Sequence, residues 1–428
     1  MNMIGKKIYN LIKEVWSYNR SLTGVGVRKT LKHFKKINKN LKIFEVKSGT
    51  RCYDWTIPKE WSVKEAWIKD SKGKKIIDFH KNNLHLLGYS IPVDKKLSLR
   101  ELQSHLYSLP NQKKAIPYVT SYYKKRWGFC ITELQRKKLK NEKYQIKIDS
   151  SFKDGHMTYG EILIKGKSKK EILLSSYVCH PSMANNELSG PCLLIFLSKW
   201  ISEMKDRYYS YRIIFVPETI GSIFYISRHL KDLKRNVHAG YVLTCVGDNR
   251  ATSYLPSRHG NTMSDKIAQH VLNWKDKNYK TYTWLDRGSD ERQYCSPGVD
   301  LPIASVMRSK YGSYKEYHTS LDTLENVVTS EGLHKSFEIY TKIITSLENN
   351  KTFKNKLLCE PKLDKYNLYP SLSIKNNKKN KTKIIKNLLS YFDGNLDLIS
   401  ICDKINIPIW EVLEQIDFLK KYKLIEEK

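Results

Sequence analysis

Four candidate metal ligands follow four apolar runs of the sequence. His180 comes after "EILLSSYV", Glu218 after "YRIIFV", Asp248 after "GYVLTCV", and His318 lies beyond "LPIASVM". Ligands of open α/β sheets bind at the carboxyl ends of the strands, so we expect these four side chains to meet at one edge of a sheet. Two imidazoles and two carboxylates form a ligand set that suits zinc or a similar divalent ion.

Segments with helical periodicity lie between these apolar runs. This alternation is the pattern of an α/β domain. The runs with strand character also include "GEILI", and the segments between them have apolar residues at helical spacing. Strands that alternate with helices in this way predict a mostly parallel sheet. The predicted helices are Gly190–Lys205, Ile220–Leu233, Met263–Trp274 and Leu324–Leu347.

The rest of the chain divides by changes in pattern. Two amphipathic helices, at 4–16 and 27–38, precede a block of short, alternating, aromatic-rich segments with turn residues between them. Near the end, three short apolar-periodic stretches follow the polar run "KNNKKNKTK" and are typical of a winged-helix or helix-turn-helix module. The predicted boundaries are 1–44 for the N-terminal helices, 45–150 for an inserted β-rich domain, 151–350 for the α/β domain, 351–380 for a linker and 381–428 for the C-terminal module.

The charge of the chain is strongly positive. The 428 residues include 76 Lys and Arg against 43 Asp and Glu, a net charge of +33. Such an excess suits nucleic acid, anionic lipid or an acidic glycan, but the lysines are scattered along the chain, which favours a compositional bias. The eight cysteines include no CxxC pair, and no apolar run reaches the ~18 residues of a membrane span. No signal peptide is evident, and we expect a cytoplasmic protein without a membrane partner.

Longer stretches carry a specific resemblance. The sequence resembles the zinc aminopeptidase-like superfamily and, more closely, a bacterial family with an aminopeptidase-like domain, an inserted β domain and a C-terminal winged helix, often labelled as associated with polysaccharide biosynthesis. The resemblance implies a sheet of the zinc-exopeptidase type and places the N-terminal helices with the aminopeptidase-like domain. It spans nearly the whole chain, through "NRSLTGVGVRKTL", "GTRCYDWTIPKEW", "LHLLGYSIPV", "HLYSLP", "IPYVTSYYKKRWGFC", "CHPSMANNELSGP", "PETIGSI", "SDERQYCSPGVDLP" and "EYHTSLDTLENV".

The resemblance also implies roles for the metal ligands. Peptidases of the superfamily hold two zinc ions that share a bridging aspartate, and in this chain Asn186 falls at that position. His180 and Asp248 match ligands of one ion, and His318 matches a ligand of the other. Because an amide oxygen is a poorer ligand than a carboxylate, one zinc is favoured over two. Glu187 is adjacent to Asn186 and could compensate for the missing carboxylate.

The role of Glu218 stays open at the level of sequence. Peptidases of this kind show two adjacent glutamates before Ile-Gly, whereas here Glu218 and Thr219 precede Ile-Gly. If the chains are aligned on Ile-Gly, Glu218 is the general base and Thr219 replaces a ligand. If the alignment shifts by one residue, Glu218 is the ligand and Pro217 replaces the base.

Three further residues are predicted to bind substrate. The resemblance places Asp290 and Arg292, from "GSDERQY", beside the active site, although a local salt bridge would also explain the pair. Tyr317 directly precedes His318, and Tyr317 and Asp322 could position that histidine through hydrogen bonds.

Three functions are compatible with these observations. The first is a zinc-dependent hydrolase of a peptide or of another amide-containing small molecule, with an altered metal site. The second is a catalytically degenerate member that binds a small amino or sugar ligand. The third is a winged-helix regulator of DNA, although Glu411 and Glu414 near the start of the last helix disfavour nucleic acid. The sequence leaves a homo-oligomer open.

Overall fold

The helices of the protein follow the predicted alternation. The computed structural model describes residues 3–366 and 377–428. Its α-helices are α1 (Met3–Val15), α2 (Val25–Ile37), α3 (Leu99–Gln103), α4 (Glu133–Lys137), α5 (Ser189–Glu203), α6 (Ile220–Asn236), α7 (Met263–Lys275), α8 (Glu291–Tyr294), α9 (Ser330–Asn349), α10 (Asn377–Leu389), α11 (Leu398–Ile405) and α12 (Ile409–Lys421). Short 3₁₀ turns cover Asn83–His85, Trp284–Asp286 and Leu363–Tyr366, and a π-helical turn covers Ala184–Leu188.

The strands are more numerous and many are short. They are β1 (Lys42–Lys47), β2 (Arg51–Cys52), β3 (Trp55–Thr56), β4 (Glu60–Lys69), β5 (Lys75–Asp78), β6 (Val93–Ser98), β7 (Leu106–Tyr107), β8 (Phe129–Cys130), β9 (Lys143–Lys153), β10 (His156–Ile164), β11 (Glu171–Tyr177), β12 (Ser210–Val216), β13 (Val237–Val242), β14 (Ser253–Leu255), β15 (Lys280–Thr281), β16 (Ile303–Met307), β17 (Thr352–Asn355), β18 (Asp393–Asp397) and β19 (Ile425–Glu427).

An eight-stranded sheet forms the centre of the fold, in the order β1-β10-β12-β11-β13-β16-β14-β15. The strands β12, β11, β13 and β16 run parallel, and antiparallel pairs lie towards both edges. After their first residue, β11 and β12 are buried on both faces, which explains their continuous apolar sequences. The predicted α/β class with a mostly parallel sheet is confirmed, and its parallel strands end at a common edge.

The β-rich insertion leaves the main sheet after β1 and returns to it at β10. It contains a four-stranded antiparallel sheet in the order β5-β4-β9-β6. Along β9 the side chains alternate between the core and the surface, with Tyr144, Ile146 and Ile148 buried, as a sheet covered on one face requires. The insertion also supplies aromatic residues to the candidate site described below.

Two compact units divide the chain. The first comprises Met1–Ser264 with Tyr279–Phe337, and the second comprises Asp265–Asn278 with Glu338–Lys428. In the second unit, α10, α11 and α12 accompany a three-stranded sheet in the order β18-β17-β19, which confirms the predicted C-terminal winged helix. Part of the predicted linker, 351–380, forms β17, and its residues 367–376 lie outside the described part of the chain.

The predicted start of one helix is wrong. The sequence predicts a helix from Leu324, whereas α9 begins at Ser330. The backbone N–H of Thr329 donates to Gly247 O at 2.9 Å, and the Thr329 hydroxyl accepts from the N–H of Gly332 at 2.9 Å. Thr329 therefore caps the helix at its N-terminus and ties it to the loop after β13. Within the described residues, no helix is both long and apolar enough to cross a membrane.

Candidate metal site

His180 lies at the carboxyl end of β11 with one ring nitrogen already bonded. Its Nδ1 is 2.8 Å from Glu187 Oε2 and 3.4 Å from Cys179 Sγ. We assign the Nδ1 hydrogen from this contact, because an ionised carboxylate can only accept. Burial opposes charge on the ring, but the Glu187 carboxylate bonded to Nδ1 prevails and raises the pKa of His180. The other nitrogen, Nε2, is directed towards Glu218.

Glu187 itself is held by a buried arginine. The side chains of Arg20 and Glu187 have no exposed surface, and Arg20 Nε lies 3.6 Å from Glu187 Oε1. The same Nε donates to the carbonyl oxygen of His180 at 2.9 Å, and Nη1 donates to Val15 O at 2.6 Å. Arg20 therefore holds the backbone of His180 by a hydrogen bond and places a positive charge beside the carboxylate that orients its ring.

The loop that follows His180 forms an irregular helical turn at Ala184–Leu188. Asp322 is buried, and its two oxygens accept from the backbone N–H groups of Asn185 and Asn186 at 2.7 and 2.9 Å. This arrangement caps the π-helical turn Ala184–Leu188, a type of turn that is frequent at functional sites. Burial raises the pKa of Asp322 to about 6. Asp322 thus holds the loop that carries Glu187.

Glu218 follows β12 and points towards His180. Its Oε2 lies 3.6 Å from His180 Nε2, and desolvation raises the pKa of its carboxyl group. The next residue, Thr219, has φ 67° and ψ −74°, and the N–H of Ile220 donates to Glu218 O at 2.8 Å across it. This is a γ-turn that a β-branched residue rarely adopts, with a strain of about 1–3 kcal/mol. The turn separates Glu218 from helix α6.

Asp290 and Arg292 both contact Thr219. Asp290 is fully buried, and its Oδ1 accepts from Thr219 N and from Ser222 Oγ, both at 2.8 Å. Its Oδ2 has no hydrogen-bond partner among the described residues. Burial, together with the charge of Glu218, raises the pKa of Asp290 to about 7. Arg292 Nη2 donates to Thr219 Oγ1 at 2.6 Å, and no ion pair joins it to Asp290.

His318 completes the group of possible ligands. Its ring lies 5.6 Å from that of His180, centroid to centroid, and stacks on Tyr317 at 3.9 Å. Burial lowers the pKa of His318 to about 3, which leaves a neutral ring with a free lone pair. Neither of its ring nitrogens bonds to another residue in the described ranges. Tyr317 therefore positions His318 by stacking.

One cavity of about 460 Å³ joins these groups. The β-rich insertion reaches it directly, since Tyr118 N donates to His318 O at 2.8 Å. Glu218 is the only carboxylate on its walls among the residues described. The lining residues are Leu22, Trp55, Tyr118, Thr120, Tyr122, Tyr123, Cys179, His180, Glu218, Thr219, Ile220, Arg292, Gln293 and His318.

Two predicted ligands lie outside this lining. Asp248 has no exposed surface, and its oxygens accept from four donors: Arg250 N, Ser309 N, Ser309 Oγ and Asn185 Nδ2, at 2.8 to 3.2 Å. These bonds occupy the lone pairs that an ion would need. Asn186 donates through Nδ2 to Tyr177 Oη at 2.8 Å, while its Oδ1 is buried without a partner. We therefore include neither residue in the proposed ligand set.

Among the described residues, Cys179, His180 and Glu187 are the group whose possible ligand atoms all lie within 4.8 Å of one another. It is a poorer place for an ion. Burial raises the pKa of Cys179 to about 11, so the thiol stays protonated at neutral pH, and Glu187 is engaged by Arg20 and His180.

Comparisons with known proteins agree with this architecture. The family described as a domain of unknown function (DUF4910) matches residues 9–350, and a winged helix-turn-helix family matches residues 351–427. A relative from Clostridium acetobutylicum, provisionally named as a polysaccharide biosynthesis protein with an aminopeptidase-like domain, is 47% identical over 366 residues, which are 85% of this chain and 83% of the relative.

Solved structures give the same result. A crystal structure from Clostridium acetobutylicum, of a protein provisionally described as a peptidase, is 42% identical, covers 100% of this chain and 97% of its own, and superposes with a TM-score of 0.93. BSAP, a zinc aminopeptidase from Bacillus subtilis, is 13% identical and superposes with a TM-score of 0.58 over 80% of this chain and 94% of its own. At that identity the likeness concerns the fold. The resemblance inferred from the sequence is confirmed.

Removing the charge of Glu187 should destabilise the metal-free protein. Glu187→Gln leaves the buried guanidinium of Arg20 without its carboxylate, so we expect the free energy of unfolding to fall by about 3 kcal/mol or more. Urea unfolding followed by tryptophan fluorescence measures this. Glu203→Gln, at the exposed end of the following helix α5, should change it by less than about 0.5 kcal/mol. A loss below about 1 kcal/mol for Glu187→Gln would contradict this role.

Asp290 should make the stability of the metal-free protein fall as the pH rises. Its folded pKa, about 7, lies above the unfolded value, so the folded state binds the proton more tightly. The resulting stabilisation is full below the unfolded pKa and is lost as pH rises through about 7. Between pH 5 and 8 the free energy of unfolding should fall less in Asp290→Asn than in the natural protein. We expect the difference between the two declines to be on the order of 2 kcal/mol.

Asp232→Asn, an exposed change in helix α6, is the matched control and should retain the decline. Equal pH dependence in Asp290→Asn and the natural protein would show that Asp290 does not carry the shifted proton.

Proposed function

We propose that this chain, which belongs to the family described as a domain of unknown function (DUF4910), is a hydrolase of an amide or peptide bond that uses one divalent metal ion, with zinc as the expected metal. One observation carries the proposal. Two imidazoles and one carboxylate, those of His180, His318 and Glu218, line a single cavity. The outward nitrogen of His180, both ring nitrogens of His318 and the Glu218 carboxylate accept no hydrogen bond from a described residue.

The residue types suit a catalytic zinc ion, although the ligand atoms of these three side chains do not form a group within 4.8 Å of one another in this structure. Two histidines and one glutamate form a ligand set of catalytic zinc sites, in which a further position stays open. The neutral ring of His318 can offer a lone pair, and the Nε2 of His180 can offer one once an ion displaces the proton that its raised pKa retains. Glu187, bonded to the other nitrogen of His180, supplies the carboxylate that usually orients a metal-bound histidine.

We assign Glu218 to the ion rather than to proton transfer. Two ligands about 2.0–2.1 Å from a tetrahedral ion are about 3.4 Å apart. The separation of 3.6 Å between Glu218 Oε2 and His180 Nε2 is close to this value. The strained turn at Thr219 holds the Glu218 carboxylate in that direction, and Asp290 fixes the turn from behind.

A bound zinc ion would lower the pKa of a water molecule towards ~7 and polarise the carbonyl group of the substrate. The chain contributes the surroundings. Trp55, Tyr118, Tyr122 and Tyr123 provide aromatic walls that exclude water and accept an apolar or ring-shaped group. The name of the Clostridium relative supports a substrate from polysaccharide biosynthesis.

A catalytically degenerate binding protein is the second candidate. It is favoured by Asn186, whose side chain is bonded to Tyr177 rather than exposed in the cavity, and by the missing second glutamate, since with Glu218 as the ligand Pro217 stands where the general base would be. Turnover of any amide by the natural protein would exclude it.

Metal analysis tests the proposal. The purified protein, equilibrated with zinc and then dialysed, should retain about one ion per chain by mass spectrometry of the metal content. We expect His180→Ala, His318→Ala and Glu218→Gln each to lose the ion at the same free zinc concentration, because each removes one of three ligands. His259→Ala, at an exposed histidine, is the control and should keep it.

The Glu218→Gln protein separates the two roles of that residue. Loss of the ion identifies a ligand, whereas a retained ion with abolished turnover would identify the general base and contradict our assignment. A natural protein that retains no zinc would contradict the proposal as a whole.

A further inference from the structure

We infer that the substrate carries a carboxylate close to the amide that is cleaved, and that Arg292 binds this carboxylate. The inference rests on the proposed function for the location of the reaction, but its evidence is separate. It concerns a cationic corner of the cavity that is formed by Arg292, Gln293 and Thr219. This corner includes none of the proposed metal ligands.

Arg292 is a guanidinium with no described carboxylate within ion-pair distance, although its charge acts on the nearby carboxyl groups of Glu218 and Asp290. It donates one hydrogen bond, from Nη2 to the Thr219 hydroxyl, while its Nε is shut off from solvent and has no partner. No carboxylate in the described ranges pairs with it. A partly buried guanidinium left in this way loses hydration without regaining a full set of bonds, so an anion in the cavity would be bound favourably.

Three other arginines of the same unit differ in this respect, whereas Arg126 and Arg207 also lack a carboxylate partner among the described residues and each has a buried Nε without a hydrogen bond. Arg20 faces Glu187 at 3.6 Å, Arg212 contacts Glu171 at 2.6 Å and Arg250 contacts Glu316 at 2.8 Å. The fold thus neutralises these guanidinium groups internally. Arg292, on the wall of the cavity, is the one of the four that is left for a ligand.

Its neighbours add donors to the same corner. The Thr219 hydroxyl accepts from Arg292, and its own hydrogen is not donated to any described residue. The Gln293 side chain also lines the cavity, and it makes no hydrogen bond within the described ranges. A guanidinium, a hydroxyl and an amide can together satisfy both oxygens of a planar carboxylate.

The charge around the corner favours a carboxylate over a phosphate. Glu218 lines the same cavity, and Asp290 lies directly behind Thr219. A singly charged carboxylate is repelled less by these two acids than a phosphate dianion. Because Arg292 bonds to Thr219, the residue that follows Glu218, the bound carboxylate lies near the reacting amide. The substrate class is therefore a carboxylate-bearing amide with a body that the aromatic walls can cover.

Binding of a matched pair of small molecules tests the inference. Hippurate (N-benzoylglycine) has an aromatic ring, an amide and a carboxylate, and N-benzoylglycinamide has the same size without the charge. By titration calorimetry we expect the natural protein to bind hippurate at least about tenfold more tightly, as a charge-assisted hydrogen-bonded contact implies. Arg292→Gln should abolish this preference, while Arg287→Gln, at an exposed arginine over Trp284, should retain it.

The measurement is made on both zinc-loaded and metal-free protein. Because a carboxylate can also bind a zinc ion, only a preference that persists without metal and disappears in Arg292→Gln supports the inference. Equal binding of the two compounds, no binding of hippurate, or an unchanged preference in Arg292→Gln would overturn it. Tighter binding of phenyl phosphate than of hippurate would overturn the assignment to a carboxylate. If the proposed hydrolysis is wrong, the zinc content and the turnover assays will show it. The titration of metal-free protein depends on neither of these and tests the carboxylate site alone.

Discussion

The Glu187 carboxylate, with no exposed surface, lies between the guanidinium of Arg20 and the imidazole of His180. Burial of these charged groups is tolerated because each has a partner of opposite charge or a hydrogen bond of good geometry. Arg20 comes from the segment between α1 and α2, His180 from the end of β11 and Glu187 from the turn before α5. These contacts join three distant parts of the chain beside the candidate metal site. The direction of His180 Nε2 depends on them, because Glu187 bonds to the other ring nitrogen.

The second constraint is the turn at Thr219. Its unfavourable backbone conformation is maintained by Asp290, which accepts from Thr219 N, and by Arg292, which bonds to its hydroxyl. Strained residues of this kind persist where the surrounding contacts determine them. The strained turn at Thr219 points Glu218 towards His180. The hydrogen bond between Thr219 and Arg292 also keeps the Arg292 guanidinium on the cavity wall. The positions of the possible ligand and of the possible substrate contact are consequently linked.

Much of the architecture could be predicted from sequence. Continuous apolar runs identify β11, β12 and β16 because a central parallel strand is buried on both faces, and strand-end polar residues indicate the correct edge of the sheet. The sequence could not show that hydrogen bonds occupy the Asp248 carboxylate, since the four donors come from residues that only the folded loops bring together. Arg20 lies 160 residues from its hydrogen-bond partner His180, so no local pattern reveals their contact. The sequence does offer one clue to Glu187, which is a charged residue in an otherwise neutral loop.

Anomalous scattering at the zinc absorption edge, from crystals of the zinc-loaded protein, tests the central claim most directly. We expect one peak per chain, within bonding distance of His180 Nε2, the Glu218 carboxylate and a ring nitrogen of His318. Two peaks, a peak bound by Asp248 or Asn186, or a peak between Cys179 and Glu187 would contradict the proposed ligand set.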